Sequence, residues 1–326
     1  MGKQQIKFAK IALIFAVLGI LFSCRSNDID TDENAERMQI FIEEISAYAK
    51  GLKPGFIIIP QNGSELAFNY TDTSEGLRTS YINAIDGFGI EELFYNEHGI
   101  LETDQEILGL LRILKNLTSK KIMVSDYVLN DDAREDSVQK NKNEGFVSYQ
   151  RGADNYYYEQ IPLTAITDEN TDDITTLAAA KNYLYLIGAD TKNFDAKEDL
   201  INAVAATNYD VVLIDLFFGN ASFTPEDIEL LKIKANGGKR LVISYISIGS
   251  AEIFRFYWHS EWEKGNPSWI RKNYEGYPDE YWIEYWDPQW QKIIFGSEDS
   301  YIKKIINAGF DGAYLDNTEA YYFLSF

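Results

Sequence analysis

The 326-residue chain is 45% hydrophobic with a formal net charge of −21, enough apolar material for one large α/β barrel or two ordinary domains, and wholesale disorder is excluded. The acidic balance argues against nucleic acid as a partner, because phosphate binding calls for a basic surface; a field of this sign attracts cations, a polycationic polymer among them. The single cysteine, Cys24, excludes an internal disulfide and a structural Cys-zinc site.

Residues 1–23 carry Lys3, Lys7 and Lys10, then the apolar run "IALIFAVLGILF", then Ser23 before Cys24, the pattern of a secretory signal. "LFSC" is similar to a bacterial lipobox. The expectation is a lipoprotein signal peptide at 1–23, lipidation at Cys24, and an anchored chain in the bacterial envelope, periplasmic or surface-exposed. Cleavage there would remove three lysines and no acid, taking the charge from −21 to −24. The acidic stretch 24–34 reads as a solvated tether. Asp28, Asp30 and Asp32 have the spacing of a calcium loop, but Glu33 stands where that loop needs glycine and Gln39 where it needs a bidentate glutamate, so no metal is expected.

From residue 35 onward amphipathic helices alternate with short apolar strands, the pattern of an α/β protein with a parallel sheet. Met38, Phe41, Ile42, Ile45 and Tyr48 recur three or four apart and Gly51 follows, which predicts a helix over 35–50. "TPEDIELLKIKANGG" predicts another, capped by Thr224 with Pro225 at its first position. Similar patterns lie at 105–117, 197–206 and 299–308. Strand candidates begin near residues 56, 84, 121, 145, 182, 210, 240, 282 and 312, one more than an eight-stranded barrel takes. Either "GFVSYQ" or "WIEYW" is therefore expected outside the ring, and the polar stretch 150–180 reads as a linker or long excursion.

In a parallel α/β barrel the acids that end strands face the functional end. Asp126, Asp215, Asp287 and Asp316 end strand candidates, Glu91 and Glu92 follow "AIDGFGI", and Glu252 follows "YISIGSA". With only His98 and His259 present, a Ser-His-Asp site or a two-histidine metal site has little material. "YISIGS" is no nucleophile elbow, because Tyr245 holds the place of the first glycine, and no phosphate-cradling glycine loop occurs. What remains is paired carboxylates, the machinery of glycosidic-bond hydrolysis. All six tryptophans, Trp258, Trp262, Trp269, Trp282, Trp286 and Trp290, fall within 33 residues among many tyrosines, and such faces stack on sugar rings and attract ammonium groups. At least two of them are expected to bind substrate.

"LVISYISIGSAEIFRFYW", "YWIEYWDPQWQKII" and "GFDGAYLDN" resemble glycoside hydrolase family 114, endo-α-1,4-polygalactosaminidases on a (β/α)8 TIM barrel; the resemblance is good over 210–326. "GFIIIPQNGSEL", "YINAIDGFGIEELFY" and "KIMVSDYV" also resemble that family, but there these segments follow the "YLD" strand, whereas here they precede it. The resemblance thus implies a single, circularly permuted barrel over 35–326, with the later strands in 35–150 and the earlier ones in 180–326. It implies Asp316 as nucleophile and Glu91 as general acid/base, with Glu92 as the neighbour hardest to separate from Glu91. Asp215, Glu252, Arg255, Asp287, Asn62, Tyr245, Trp258 and Trp286 are the expected substrate-binding residues. Ser250 stands where relatives commonly carry Glu. The implied activity is cleavage of internal bonds in a cationic, galactosamine-rich polysaccharide, with no cofactor and no metal. Two other readings remain open at this point: a glycan-binding surface lipoprotein without catalysis, and a hydrolase of a different hexosamine or galactoside polymer.

Overall fold

The computed structural model describes residues 27–325. The signal expected at 1–23 and Cys24 lie outside the described residues. Nine helices are seen among the described residues: α1 (Asn27–Leu52), α2 (Thr79–Ala84), α3 (Gln105–Leu117), α4 (Asp131–Glu144), α5 (Lys197–Ala205), α6 (Pro225–Leu231), α7 (Pro288–Ile294), α8 (Tyr301–Asn307) and α9 (Ala320–Phe323). The strands are β1 (Ile57–Pro60), β2 (Gly87–Glu91), β3 (Lys121–Val128), β4 (Val147–Gly152), β5 (Tyr183–Leu186), β6 (Val211–Asp215), β7 (Phe217–Phe218), β8 (Ala221–Ser222), β9 (Leu241–Ser247), β10 (Ser250–Glu252), β11 (Ile270–Asn273), β12 (Glu280–Ile283) and β13 (Gly312–Asp316).

Eight of these strands run parallel, in two sheets ordered β1-β13-β9-β6-β5 and β2-β3-β4. A parallel bridge between Gln61 and Gly89 joins the sheets beside β1 and β2. At the far edges the rings of Tyr149 in β4 and Tyr183 in β5 lie 5.7 Å apart, but no ladder joins those two strands among the described residues. The arrangement is a mixed α/β fold around parallel sheets, consistent with a TIM-barrel-like fold, with no closed ring of ladders among the described residues: a single bridge joins β1 to β2 and no ladder joins β4 to β5. Parallel strands covered on both faces must be apolar throughout, and β9 is buried from Leu241 to Ser247. "WIEYW" is the odd strand out: β12 pairs antiparallel with β10 and β11 in a separate sheet over the strand ends, while "GFVSYQ" enters the parallel set as β4.

Side-chain caps open α3, α4, α6 and α7. In α6 the Thr224 side chain accepts from the Asp227 amide and Asp227 accepts from the Thr224 amide, closing a capping box behind Pro225. In α1, Met38, Phe41, Ile42, Ile45 and Ala49 are fully buried, and each large side chain among them contributes about 1.5–3 kcal/mol relative to exposure. This helix begins earlier than expected, so residues 27–34 are helical where a solvated tether was expected. Asn34 is buried there, its carbonyl accepting from the Tyr285 hydroxyl at 2.5 Å.

Two glycines let elements approach at the strand ends. A Cβ on Gly89 would sit 2.0 Å from the Tyr314 hydroxyl, and one on Gly249 would sit 1.9 Å from the Asn317 carbonyl oxygen. The stretch 153–176 is more than a linker. It runs from Tyr158 at the C-terminal strand ends down to Asn170, whose side chain donates to Asp210 at 3.0 Å on the opposite side, where a fully buried Lys234–Asp210 pair closes at 2.6 Å.

Candidate functional site

The strands end around a cleft of about 660 Å³, within the roughly 300–1,000 Å³ range of small-ligand sites. Six of the eight parallel strands deliver a side chain to it: Glu91 from β2, Arg151 from β4, Tyr185 from β5, Asp215 from β6, Tyr245 from β9 and Asp316 from β13. Asp316 is held on both oxygens. The Asn317 amide donates to Oδ1 at 2.7 Å and the Tyr245 hydroxyl donates to Oδ2 at 2.5 Å. Tyr245 lies opposite Tyr314 in the ladder, two residues short of Asp316, so its ring spans the gap to the carboxylate. Burial, and then the nearby charge of Glu91, push Asp316 up to about 7.

Glu91 is held on one oxygen. Its Oε1 accepts from the Tyr158 hydroxyl at 2.5 Å, and no hydrogen bond from the described residues reaches Oε2. Ser125 can donate to the Tyr158 oxygen at 2.9 Å, which leaves the tyrosine proton for Glu91. The Tyr158 ring stacks on Tyr185 at 4.0 Å, so the donor is fixed by packing. Asn62, in the left-handed region at φ 56°, accepts from the Glu91 amide and donates to Glu319, both at 3.1 Å. Burial pushes Glu319 up to about 7.

The opposite wall is built on Arg255, which donates to Glu252 and to Asp215 at 2.5 Å each and to the Tyr301 hydroxyl at 3.1 Å. Across the β10–β12 ladder Glu252 faces Glu280, and burial together with the Glu252 charge pushes Glu280 up to about 8. Ser250 donates to Glu280 at 3.0 Å, and Asn317 donates to Ser250 at 3.0 Å, so the next strand brings a carboxylate against Ser250.

The structure therefore brings Asp316, Glu91, Asp215, Glu252, Arg255, Asn62 and Tyr245 together around one cleft. Glu92 turns away at φ 59° into an ion pair with Arg151 and lines an adjoining cavity. Asp287 lies outside the cleft as the N-cap of α7, accepting from the Gln289 amide at 2.8 Å. Trp258 stacks on Tyr281 with centroids 5.6 Å apart, and Trp286 lies under Arg37 at 4.5 Å. Among the described residues no tryptophan lines the cleft, because Trp258, Trp262, Trp269 and Trp290 pack in a chain on one another. The stacking surface is tyrosine: Tyr274 faces the cleft with Trp282 stacked behind it at 4.1 Å, and Tyr277 and Tyr156 stand beside it. Asp126 ends no site. It is buried, accepting from the Phe94 and Tyr95 amides, Ser137 and Asn141, and ties a loop to α4.

Sequence reasoning missed Tyr158, Arg151, Glu280 and Glu319. The run "NYYYEQ", three tyrosines in a polar stretch, was the available signal for Tyr158. No group of three or more His, Cys, Asp or Glu side chains among the described residues is placed to hold a metal ion, and no described helix is long and apolar enough to cross a membrane.

Residues 170–325 match Glycoside-hydrolase family GH114, which supports a glycoside hydrolase. An uncharacterized protein of Methanocaldococcus jannaschii is 36% identical over 155 residues, 47% of this chain and 41% of its own length. Uncharacterized proteins of Deinococcus radiodurans and Thermotoga maritima are 33% identical over 121 residues and 29% over 143, covering 37% and 43% of this chain. The matches span only 37–41% of the length of these curated relatives.

Proposed function

We propose that the chain hydrolyses internal α-1,4 bonds of a galactosamine-rich, partly deacetylated polysaccharide, with Asp316 and Glu91 as its two carboxylates. The observation that carries this reading is their placement on one cleft, each hydrogen-bonded by a buried tyrosine, with the charge of one raising the pKa of the other. Two carboxylates on one cleft are what acid-and-nucleophile chemistry requires. Asp316, stabilised on both oxygens, is the nucleophile, attacking the anomeric carbon as the glycosidic bond breaks. Glu91, with Oε2 open, gives its proton to the departing oxygen and then takes one from the water that releases the sugar.

The fold is an eight-stranded barrel permuted relative to the family. The family match begins at residue 170, and β1 to β4, which precede it, stand next to β13 through the β1 ladder. Lipidation at Cys24 tethers the protein in the envelope. The start of α1 supports a cleft turned toward that anchor, since Asn34 donates to Ser325 at 3.4 Å just beyond α9, on the side where β13 ends.

Reducing-end release and product mass spectra from partly deacetylated α-1,4-galactosaminoglycan test the reading, with Asp316→Asn and Glu91→Gln compared with the unaltered protein. Short oligomers from the unaltered protein and a loss of at least about 10³-fold in both variants are expected. Retention of the polymer without release would mean a glycan-binding protein instead, and cleavage of a different hexosamine or galactoside polymer alone would move the substrate.

A further inference from the structure

The turn after Asp316 is gripped from outside β13. Asn317 sits in the left-handed region at φ 60°, which a non-glycine residue keeps only where its surroundings fix it, and its amide donates to Asp316 Oδ1 at 2.7 Å. What fixes it is a buried cluster of side chains: Asn317 Nδ2 donates to Ser247 Oγ at 2.9 Å and to Ser250 Oγ at 3.0 Å, and the two hydroxyls lie 2.8 Å apart. An amide nitrogen can only donate, and a serine hydroxyl has one proton. Ser250 must therefore turn its proton away from Asn317, and it gives it to Glu280 Oε2 at 3.0 Å. Without that acceptor the Ser250 proton turns to Ser247 Oγ, which already accepts from Asn317 and, at 3.3 Å, from the Ser250 amide, so the Asn317 side chain loses a partner. Glu252, opposite Glu280 in the ladder, is no substitute, because Arg255 donates to both of its oxygens.

We propose that Glu280 is a positioning residue for Asp316: it takes the Ser250 proton, Ser250 and Ser247 hold the Asn317 side chain, and Asn317 presents its amide to the carboxylate. The inference rests on the glycosidase reading for its catalytic meaning. It adds a third carboxyl, one that serves the reaction through its neighbours instead of through the sugar.

Glu280→Ala removes the acceptor, whereas Glu280→Gln removes the charge alone, since its side-chain carbonyl can still accept from Ser250. The charges that bear on Glu280 are those of Glu252, Asp316 and Arg255, and they are the same in both variants. Ser250→Ala and the double variant Ser250→Ala with Glu280→Ala complete the set. The Asp316 carboxyl is titrated by NMR of protein with isotope-labelled aspartate carboxyls, its signal identified by its loss in Asp316→Asn, and kcat and KM are measured on the galactosamine polymer. Relative to Glu280→Gln, Glu280→Ala is expected to raise the pH at which Asp316 titrates by about half a unit and to lower kcat about tenfold, with KM changed less than about twofold. Ser250→Ala should shift both readouts the same way, and the double variant should fall no further than the deeper single one. Equal titration of Asp316 in Glu280→Ala and Glu280→Gln, a raised KM with kcat kept, or additive losses in the double variant would overturn the role. The titration needs no turnover, so it decides the positioning even where the unaltered protein releases no sugar and the glycosidase reading fails.

Discussion

Asp316 and Glu91, the proposed carboxylate pair, differ in their hydrogen bonds, and Tyr245 is the clearest lever on that difference. Its hydroxyl stabilises the charged form of Asp316, lowering a pKa that burial and Glu91 raise to about 7. Tyr245→Phe should therefore move the corresponding limb of the kcat/KM–pH profile upward by about one unit, the worth of one charge-assisted hydrogen bond. A limb that stays in place would assign that titration to another group. Tyr158→Phe removes the one donor to the Glu91 carboxylate among the described residues and should lower kcat by about tenfold with little change in KM, measured on the same polymer. Asp316 and Glu91 could be found in sequence because they sit where apolar strands stop, and a strand end is a local signal. Tyr158 and Glu280 could not. Tyr158 meets Glu91 across 67 residues, and Glu280 gains its character from a ladder partner 28 positions away. The tryptophans show the opposite error: their density suggested a sugar surface, but composition cannot say which face of an aromatic ring is already covered, and most of these cover one another.

At the level of elements, the turn "SIGS" and the strand end "YLDN" interlock through Gly249. An alanine there would collide with the Asn317 carbonyl, so Gly249→Ala should destabilise the fold by about 3 kcal/mol in denaturant unfolding and disturb the Asp316 amide contact as well. Gly51, near the end of α1 with open space around its Cβ position, should respond in the opposite sense: Gly51→Ala is expected to stabilise by about 0.5–1 kcal/mol. Equal effects of the two substitutions would contradict the packing described at Gly249. Helices with strong caps and strands with continuous apolar runs were legible in sequence, since their causes are local. The sequence left open whether "WIEYW" or "GFVSYQ" stands outside the parallel set, because the choice depends on β10 and β11, which carry no comparable apolar run.

For the molecule as a whole, the concentration of buried acids around the cleft sets a pH dependence. Glu280, Asp316 and Glu319 have folded-state values of about 8, 7 and 7, above those of unfolded carboxyls. Between those limits the folded state binds more protons than the unfolded one, so stability is greatest below about pH 4–5 for these groups and is lost as pH rises through 7 and 8. Thermal unfolding should accordingly occur at lower temperature at about pH 8.5 than at about pH 5.5, with the difference reduced by Glu280→Gln. An unchanged slope in that variant would place the effect in the overall charge of −21.

The seam between β4 and β5 has a consequence for how activity could be inherited. It marks off a front segment that holds Glu91 and Tyr158 and a rear segment that holds Asp316 and Tyr245, and the family match covers only the rear one from residue 170 onward. Neither segment owns a complete carboxylate pair. If the proposed pair is catalytic, hydrolysis would report that the two parts have met, and likeness to the rear segment alone would be a likeness to half of a catalyst.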